Sequence, residues 1–317
     1  CPDAALAAVP FGALPGKAPG TYLLDEFRIS YVMSAQDLVP WKDAPPSGTG
    51  ALVVGGVDYE HAEPGTRVGA STEGPIASTA VDRAPGGDRF TPLPQTRLEA
   101  ETLRDRLGRA GTTLVVGASA TESRMREAAR GKRFVHVATH GFAREDLLAG
   151  LYTRKIDEAF TSADAERQLA VGHDPMLLSG LAMAGANPRE GGAGDDGILT
   201  ALEASYLDLD GVELVTLSAC STARGTAESG EGVQGLVQAF QMAGARRVVA
   251  SLWKVDDEAT RRLMEGFYER MLRKANPLAP ADALREAAIA LRDTKDPSGK
   301  ARFAAPRYWA PFVAYGR

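Results

Sequence analysis

Between residues 51 and 291, short apolar runs of strand length alternate with amphipathic stretches of helix length. That alternation limits the chain to few folds. The apolar runs are 51–57 (ALVVGGV), 113–116, 134–138 (FVHVA), 212–217 (VELVTL) and 247–252, and they carry no polar alternation over most of their length. Runs of this kind read as parallel strands buried on both faces. The stretches between them carry helix signals. Thr96 and Glu99 have capping-box spacing, Leu103 and Leu107 share a face, and Gly108 can end that helix. Thr121 can cap a helix that Gly131 stops. Val233, Leu236, Val237 and Phe240 recur at i, i+3, i+4 and i+7. Asp257 can cap a helix with Leu263, Phe267 and Met271 on its core face and Met264 and Tyr268 beside them. Leu284, Ala287, Ala288 and Leu291 mark another. Strands alternating with helices predict a mostly parallel sheet covered by helices on both faces. At 317 residues and 44% hydrophobic content the chain can bury a full core.

Elsewhere the pattern is weaker. Residues 5–9 and 28–33 are strand-like and flank a Gly/Pro turn region, which predicts a hairpin or edge pair within a small N-terminal β element, 1–50. Residues 41–50 read as loop. Residues 58–95 are rich in Gly and Pro, without periodicity, and read as a long functional loop or insertion. Residues 177–186 read as a short helix, 187–197 as loop, 198–206 as helical and 222–232 as a mobile loop. No repeat period or compositional break divides the chain, so one domain, 1–317, is expected. The chain opens on Cys1 within an apparent strand pattern, and the native polypeptide is expected to continue upstream.

Composition narrows the functions. Net charge is −5 with Lys and Arg scattered, so direct nucleic-acid binding is not expected. No apolar run approaches the roughly 20 residues that span a bilayer, and no charged-then-apolar leader opens the chain, so neither a membrane partner nor export is expected. The cysteines are Cys1 and Cys220 and the histidines are His61, His136, His140 and His173. Two cysteines make no disulfide framework and suggest a reducing, cytoplasmic compartment. Zinc-ligand spacing and a phosphate loop are both missing, so no metal or cofactor is expected.

Two reactive side chains fall beyond strand ends, where open parallel sheets place their ligands. His140 follows FVHVAT and Cys220 follows VELVTLSA, 80 positions on. Adjacent strands would bring them together, and a thiol beside an imidazole is the minimum equipment for acyl transfer. The N–H groups of Gly141 and Cys220 are natural donors to an oxyanion. Taken by itself, a Cys at a strand end is more often a small hydrophobe and a His more often a satisfied polar residue. The spacing therefore leaves both readings open.

The surrounding residues add to it. RFVHVATHGFA (133–143) and ELVTLSACSTARG (213–225) resemble the two active-site motifs of the CHAT domain family, a branch of the caspase-like cysteine peptidases related to separase. LPQTRLEAETL (93–103), LLSGLAMAGAN (177–187), DGILTALEASYLDLDG (196–211), GEGVQGLVQAFQMAGARRVVASLWKVDDEAT (230–260) and PRYWAPFVAYG (306–316) resemble it as well, in family order. The resemblance implies a caspase–hemoglobinase-like α/β fold, His140 and Cys220 as dyad, and Gly141 at the oxyanion site. It also implies a protein substrate, and an upstream or partner repeat or sensor module as in bacterial conflict and cell-death systems.

The segment after the strand at 247–252 lines the substrate pocket in caspase relatives, which makes Trp253, Lys254, Val255 and Asp256 pocket candidates. Asp256 and Asp257 also suit a helix cap. Several Arg/Lys-specific relatives place an acid two positions before the nucleophile; here that position is Ser218, so a basic preference does not carry over. No third catalytic side chain stands out, which leaves a backbone carbonyl or solvent to orient His140. His136, mid-strand between Val135 and Val137, reads as core. His61 and His173 read as solvated, as do Asp195 and Asp196, for which an acidic pocket role is the alternative, and Tyr308 and Trp309 as packed under the sheet. The leading expectation is a regulated cysteine endopeptidase; the alternative is a catalytically silent CHAT module serving as an interaction platform. A hydrolase of order Cys, acid, His is excluded because no His follows His173.

Overall fold

The computed structural model describes residues 2, 4–38, 46–63, 89–143, 176–177, 179–187, 195–218, 220–221, 231–253 and 255–316. Its strands are β1 (Ala51–Val57), β2 (Thr112–Gly117), β3 (Phe134–Val137), β4 (His140–Ala143), β5 (Ser179–Ala182), β6 (Ile198–Thr200), β7 (Leu214–Leu217), β8 (Cys220–Ser221), β9 (Val248–Ser251) and β10 (Phe312–Tyr315). Its α-helices are α1 (Leu23–Glu26), α2 (Pro94–Leu107), α3 (Glu122–Ala129), α4 (Ala201–Ser205), α5 (Glu231–Met242), α6 (Asp257–Met271), α7 (Pro280–Arg292) and α8 (Pro306–Trp309).

A six-stranded sheet runs in the order β10-β9-β7-β3-β1-β2, parallel except for β10 at its edge. Alternate residues of each strand feed two hydrophobic layers. Leu52, Val54, Val135, Val137 and Val215 point into the layer shared with α3, α4 and α5. Ala51, Val53, Phe134 and Leu214 point into the layer built by α2, α6 and α7. Leu263, Phe267 and Met271, with Met264 and Tyr268, are buried in the second layer as their periodicity requires. Gly55 admits α2 closely to the sheet, since a Cβ there would stand 2.4 Å from the Thr96 carbonyl oxygen.

Four expectations change. The helix α2 begins at Pro94 rather than at a Thr96–Glu99 capping box, because Pro suits the first helical position. Thr96 Oγ1 instead accepts the Gly56 N–H at 3.0 Å. Residues 179–182, expected as helix, form β5 between β4 and β6. There Gly180 lets the Phe142 ring lie against the backbone, a packing gain that overrides the helix-favouring alanines. The first three residues of 198–206 form β6, and a capping box between Thr200 and Glu203 then starts α4. Among the described residues the N-terminal β element survives only as isolated bridges. Residues Ala4–Ala8 form a 3₁₀-helix, as an alanine-rich run with little β propensity allows, and Tyr31 bridges to Tyr315 at the sheet edge instead of pairing with 5–9. Residues 41–45 and 64–88, most of the expected loops, and the expected mobile segment at 222–230 lie outside the described residues.

Candidate active site

The two central strands of the sheet do not stop at its carboxyl edge. After β3 the chain crosses two residues and resumes as β4; after β7 it resumes as β8. The continuations belong to a second, four-stranded sheet ordered β6-β5-β4-β8. The crossing is held by backbone and side-chain bonds. Ala138 N–H still donates to Val54 O of the first sheet at 2.9 Å. Thr139 Oγ1 donates to Ala182 O of the second at 2.5 Å and thereby accepts from the Tyr59 hydroxyl at 3.0 Å. Ser218 N–H donates to Val137 O at 2.9 Å.

Register passes across this break unchanged. Phe134 pairs with Leu214 and Val137 with Leu217 in the first sheet; His140 pairs with Cys220 and Gly141 with Ser221 in the second. The sequence interval of 80 is the register itself, so the two reactive residues open adjacent parallel strands on one rung, about 4.8 Å from strand to strand. On its other side Gly141 pairs with Leu181 of β5.

His140 is only 5% exposed. Its ring packs against those of Tyr59 and Phe90, with centroids 5.2 and 5.6 Å away, and the two partners' centroids are 5.8 Å apart, so the three rings form a triangle. Its Nε2 is 2.7 Å from the carbonyl oxygen of Thr91. A carbonyl only accepts, so Nε2 carries the hydrogen and Nδ1 is the basic nitrogen of the neutral ring. The orienting group is thus a backbone carbonyl from the far end of the 58–95 segment. Tyr59, Phe90 and Thr91 were not singled out from the sequence. Tyr59 could have been, because it follows the carboxyl end of β1 as His140 follows that of β3.

The other candidates separate. Ser218 is buried, and its Oγ has no hydrogen-bond partner. Trp253 is half-buried against both hydrophobic layers, and its carbonyl accepts from Ser251 Oγ at 2.6 Å. Val255 is buried in the α6 and α7 layer, and Asp256 Oδ1 caps α6 by accepting the Ala259 N–H at 2.9 Å. These two are engaged in packing and capping. Asp256 rather than Asp257 is the cap. Lys254 and His173 lie outside the described residues. Exposed His61 pairs with Asp58 at 3.0 Å.

His136 is buried, as expected of a core position, but in a polar setting. Its Nε2 is 2.8 Å from Glu99 Oε1 and its Nδ1 3.2 Å from the Tyr268 hydroxyl, which donates to Thr216 Oγ1 at 3.0 Å. Burial raises the Tyr268 pKa and keeps the phenol neutral. Asp195 and Asp196 are structural too: Asp195 Oδ2 accepts the Ser123 N–H at 3.0 Å, and Asp196 Oδ1 accepts that of Ile198 at 2.9 Å. Beside them Glu122 is buried, and its pKa is pushed up to about 9. Burial is the main cause, followed by the charges of Asp196, Glu203 and Asp195, against which the Gly197 N–H acts. Among the described residues, no group of three or more His, Cys, Asp or Glu side chains could hold a metal ion, and no helix is long and apolar enough to cross a membrane.

A mostly parallel α/β sheet whose central strands carry His and Cys into a small second sheet defines a caspase-like fold. The chain belongs to the CHAT domain family, whose model matches residues 1–317. Among curated proteins it is similar to tetratricopeptide repeat protein 28 of Mus musculus, 27% identical over 322 residues, covering 97% of this chain and 12% of that protein. The Homo sapiens protein of the same name is 27% identical over 319 residues, covering 97% and 11%. The chain thus spans only about a tenth of the length of these relatives. Among solved structures, the Saccharomyces cerevisiae separase–securin complex matches with a TM-score of 0.48 at 14% identity, covering 98% of this chain and 15% of that one.

Proposed function

We propose that the chain is a cysteine endopeptidase acting on a protein substrate, with Cys220 as nucleophile and His140 as acid and base. The observation that carries this reading is the His140–Cys220 rung together with the fixed tautomer of His140. A gap of about 4.8 Å between strands is one that side chains of this length can close. The Cys220 thiol passes its proton to His140 Nδ1, and the thiolate attacks the scissile carbonyl. The N–H groups of Gly141 and Cys220 are assigned to the oxyanion. His140 returns the proton to the leaving amine as the C–N bond breaks. Water, deprotonated by the same nitrogen, then cleaves the thioester and restores the thiol.

Ser218 and Trp253 remain as pocket residues, and an uncharged Ser218 favours no basic side chain. The names of the curated relatives support a tetratricopeptide or similar repeat module, attached or in a partner; in this reading that module regulates cleavage. Cysteine usage supports a cytoplasmic setting, and the family resemblance a bacterial defence or cell-death role. An electrophilic peptide should modify Cys220, as read by mass spectrometry of the adduct, and Cys220→Ala should lose at least about 10⁴-fold in kcat/KM. Labelling confined to Cys1, with activity retained in Cys220→Ala, would overturn the assignment.

A further inference from the structure

We propose that Asn187 is the positioning residue that keeps the His140 imidazole in its working tautomer, an inference that rests on the peptidase reading above. Asn187 is 2% exposed and stands in the turn after β5, 47 positions beyond His140. Its own N–H donates to Tyr59 O at 2.9 Å, which fixes it to the segment leaving β1. Its side chain then grips one backbone residue from both sides. Oδ1 accepts the Phe90 N–H at 2.7 Å, and Nδ2 donates to the Phe90 carbonyl at 3.1 Å. The second Nδ2 hydrogen goes to Glu60 Oε1 at 2.6 Å. Both amide hydrogens and the amide oxygen are therefore used, and the orientation of the amide is dictated by its partners.

The residue so clamped has two further contacts. The Phe90 ring is one wall of the His140 pocket, and the next residue, Thr91, supplies the carbonyl that receives the Nε2 hydrogen. In the described structure no regular element holds residues 89–93. Besides Asn187, they are restrained by the Phe90 ring buried in the core, by the Thr96 N–H and hydroxyl donating to the Leu93 carbonyl, and by the Arg89–Glu60 ion pair, which is exposed, where such pairs contribute little. The buried amide is the stronger tie. Asn187 thus does through a backbone carbonyl what a carboxylate does in triads that orient their histidine with a side chain. It touches neither substrate nor reacting atoms.

The test uses the full chain, with ¹⁵N-labelled histidine, as wild type, Asn187→Ala and the isosteric Asn187→Asp. In the Asp variant one oxygen still accepts from Phe90 N–H, but the other faces the Phe90 carbonyl and Glu60 with no hydrogen to offer. At a pH where the ring is neutral, the wild-type His140 ¹⁵N shifts should report the Nε2–H tautomer, and both folded variants a mixture. Peptide turnover should lose roughly tenfold to a hundredfold in kcat, the lower range of general acid–base effects, with KM within about threefold. A wild-type ring carrying its hydrogen on Nδ1, or folded variants with unchanged tautomer and kcat, would overturn the inference. Should both variants fail to fold, hydrogen exchange of the Phe90 amide in the wild type decides: slow exchange sustains the clamp, and exchange at the unprotected rate removes it. The two readings part cleanly. A wild type that is inactive on every peptide, yet loses its Nε2–H signature on substitution, would keep the clamp and dismiss the peptidase.

Discussion

The two faces of the central sheet satisfy their buried polar groups in different ways. On the α2 and α6 face, polar side chains pair with one another: Glu99 with His136, His136 with Tyr268, and Tyr268 with Thr216. On the opposite face each reaches for backbone, His140 to Thr91, Asn187 to Phe90, Thr139 to Ala182 and Glu122 to Gly197, with side-chain bonds from Tyr59 to Thr139 and from Asn187 to Glu60 added to it. A network of side chains closed on itself stabilises the pairing of sheet and helices and is sensitive to losing any member. Groups anchored to backbone are held in place by the chain's path, so their geometry can serve chemistry. The contrast separates two histidines only four residues apart.

The sharpest way to break this comparison is at His136. His136→Ala leaves the Glu99 carboxylate buried without its partner and should cost about 3–5 kcal/mol of stability in denaturant titration. Replacing Glu99 and His136 together by Leu should cost less than either single change, since the pair is then removed whole. A folded, fully stable but inactive His136→Ala would mean that the roles of the two histidines are reversed. At His140 the readout moves from stability to rate. His140→Ala should lower kcat/KM at least about a hundredfold, or about 2.7 kcal/mol, with a smaller loss of stability than at His136. Unchanged turnover in a folded His140→Ala would end the contrast.

The third effect is a slope with pH and concerns Glu122, a buried carboxyl that has a backbone donor but, among the described residues, no basic hydrogen-bond partner. Its pKa rises from 4.5 to about 9 on folding, so between those limits the folded chain keeps a proton that the unfolded chain has released. Stability must therefore fall as pH rises through that window, by up to about 1.4 kcal/mol per unit. Glu122→Gln should flatten the slope in denaturant titrations at pH 6 and 8. An equal slope in both proteins would show that Glu122 ionises freely in the fold.

Much of this was legible in the chain. The buried strands at 51–57 and 134–138 and the helices with Phe240 or Phe267 on the core face stand nearly where periodicity put them, because burial on both faces of a parallel sheet writes itself into apolar runs. His140 and Cys220 were visible as reactive residues past strand ends. The helical character of 198–206 was legible too, though the strand that takes its first three residues was not. Residues 179–182 failed because small residues carry no period, and only their neighbours β4 and β6 make them a strand.

The sequence by itself determined the alternating α/β pattern, the family and the candidate pair, since each is written in local periodicity or contiguous motifs. Tertiary structure alone decided that an interval of 80 residues is a β register, that Glu99 serves His136 rather than a helix cap, and that Thr91 and Asn187 orient His140. Those partners come from segments 37 to 97 positions apart and meet through one or two hydrogen bonds each. A hydrogen bond between distant segments leaves no period in the chain; it exists only once the packing of both hydrophobic layers has brought its two ends together.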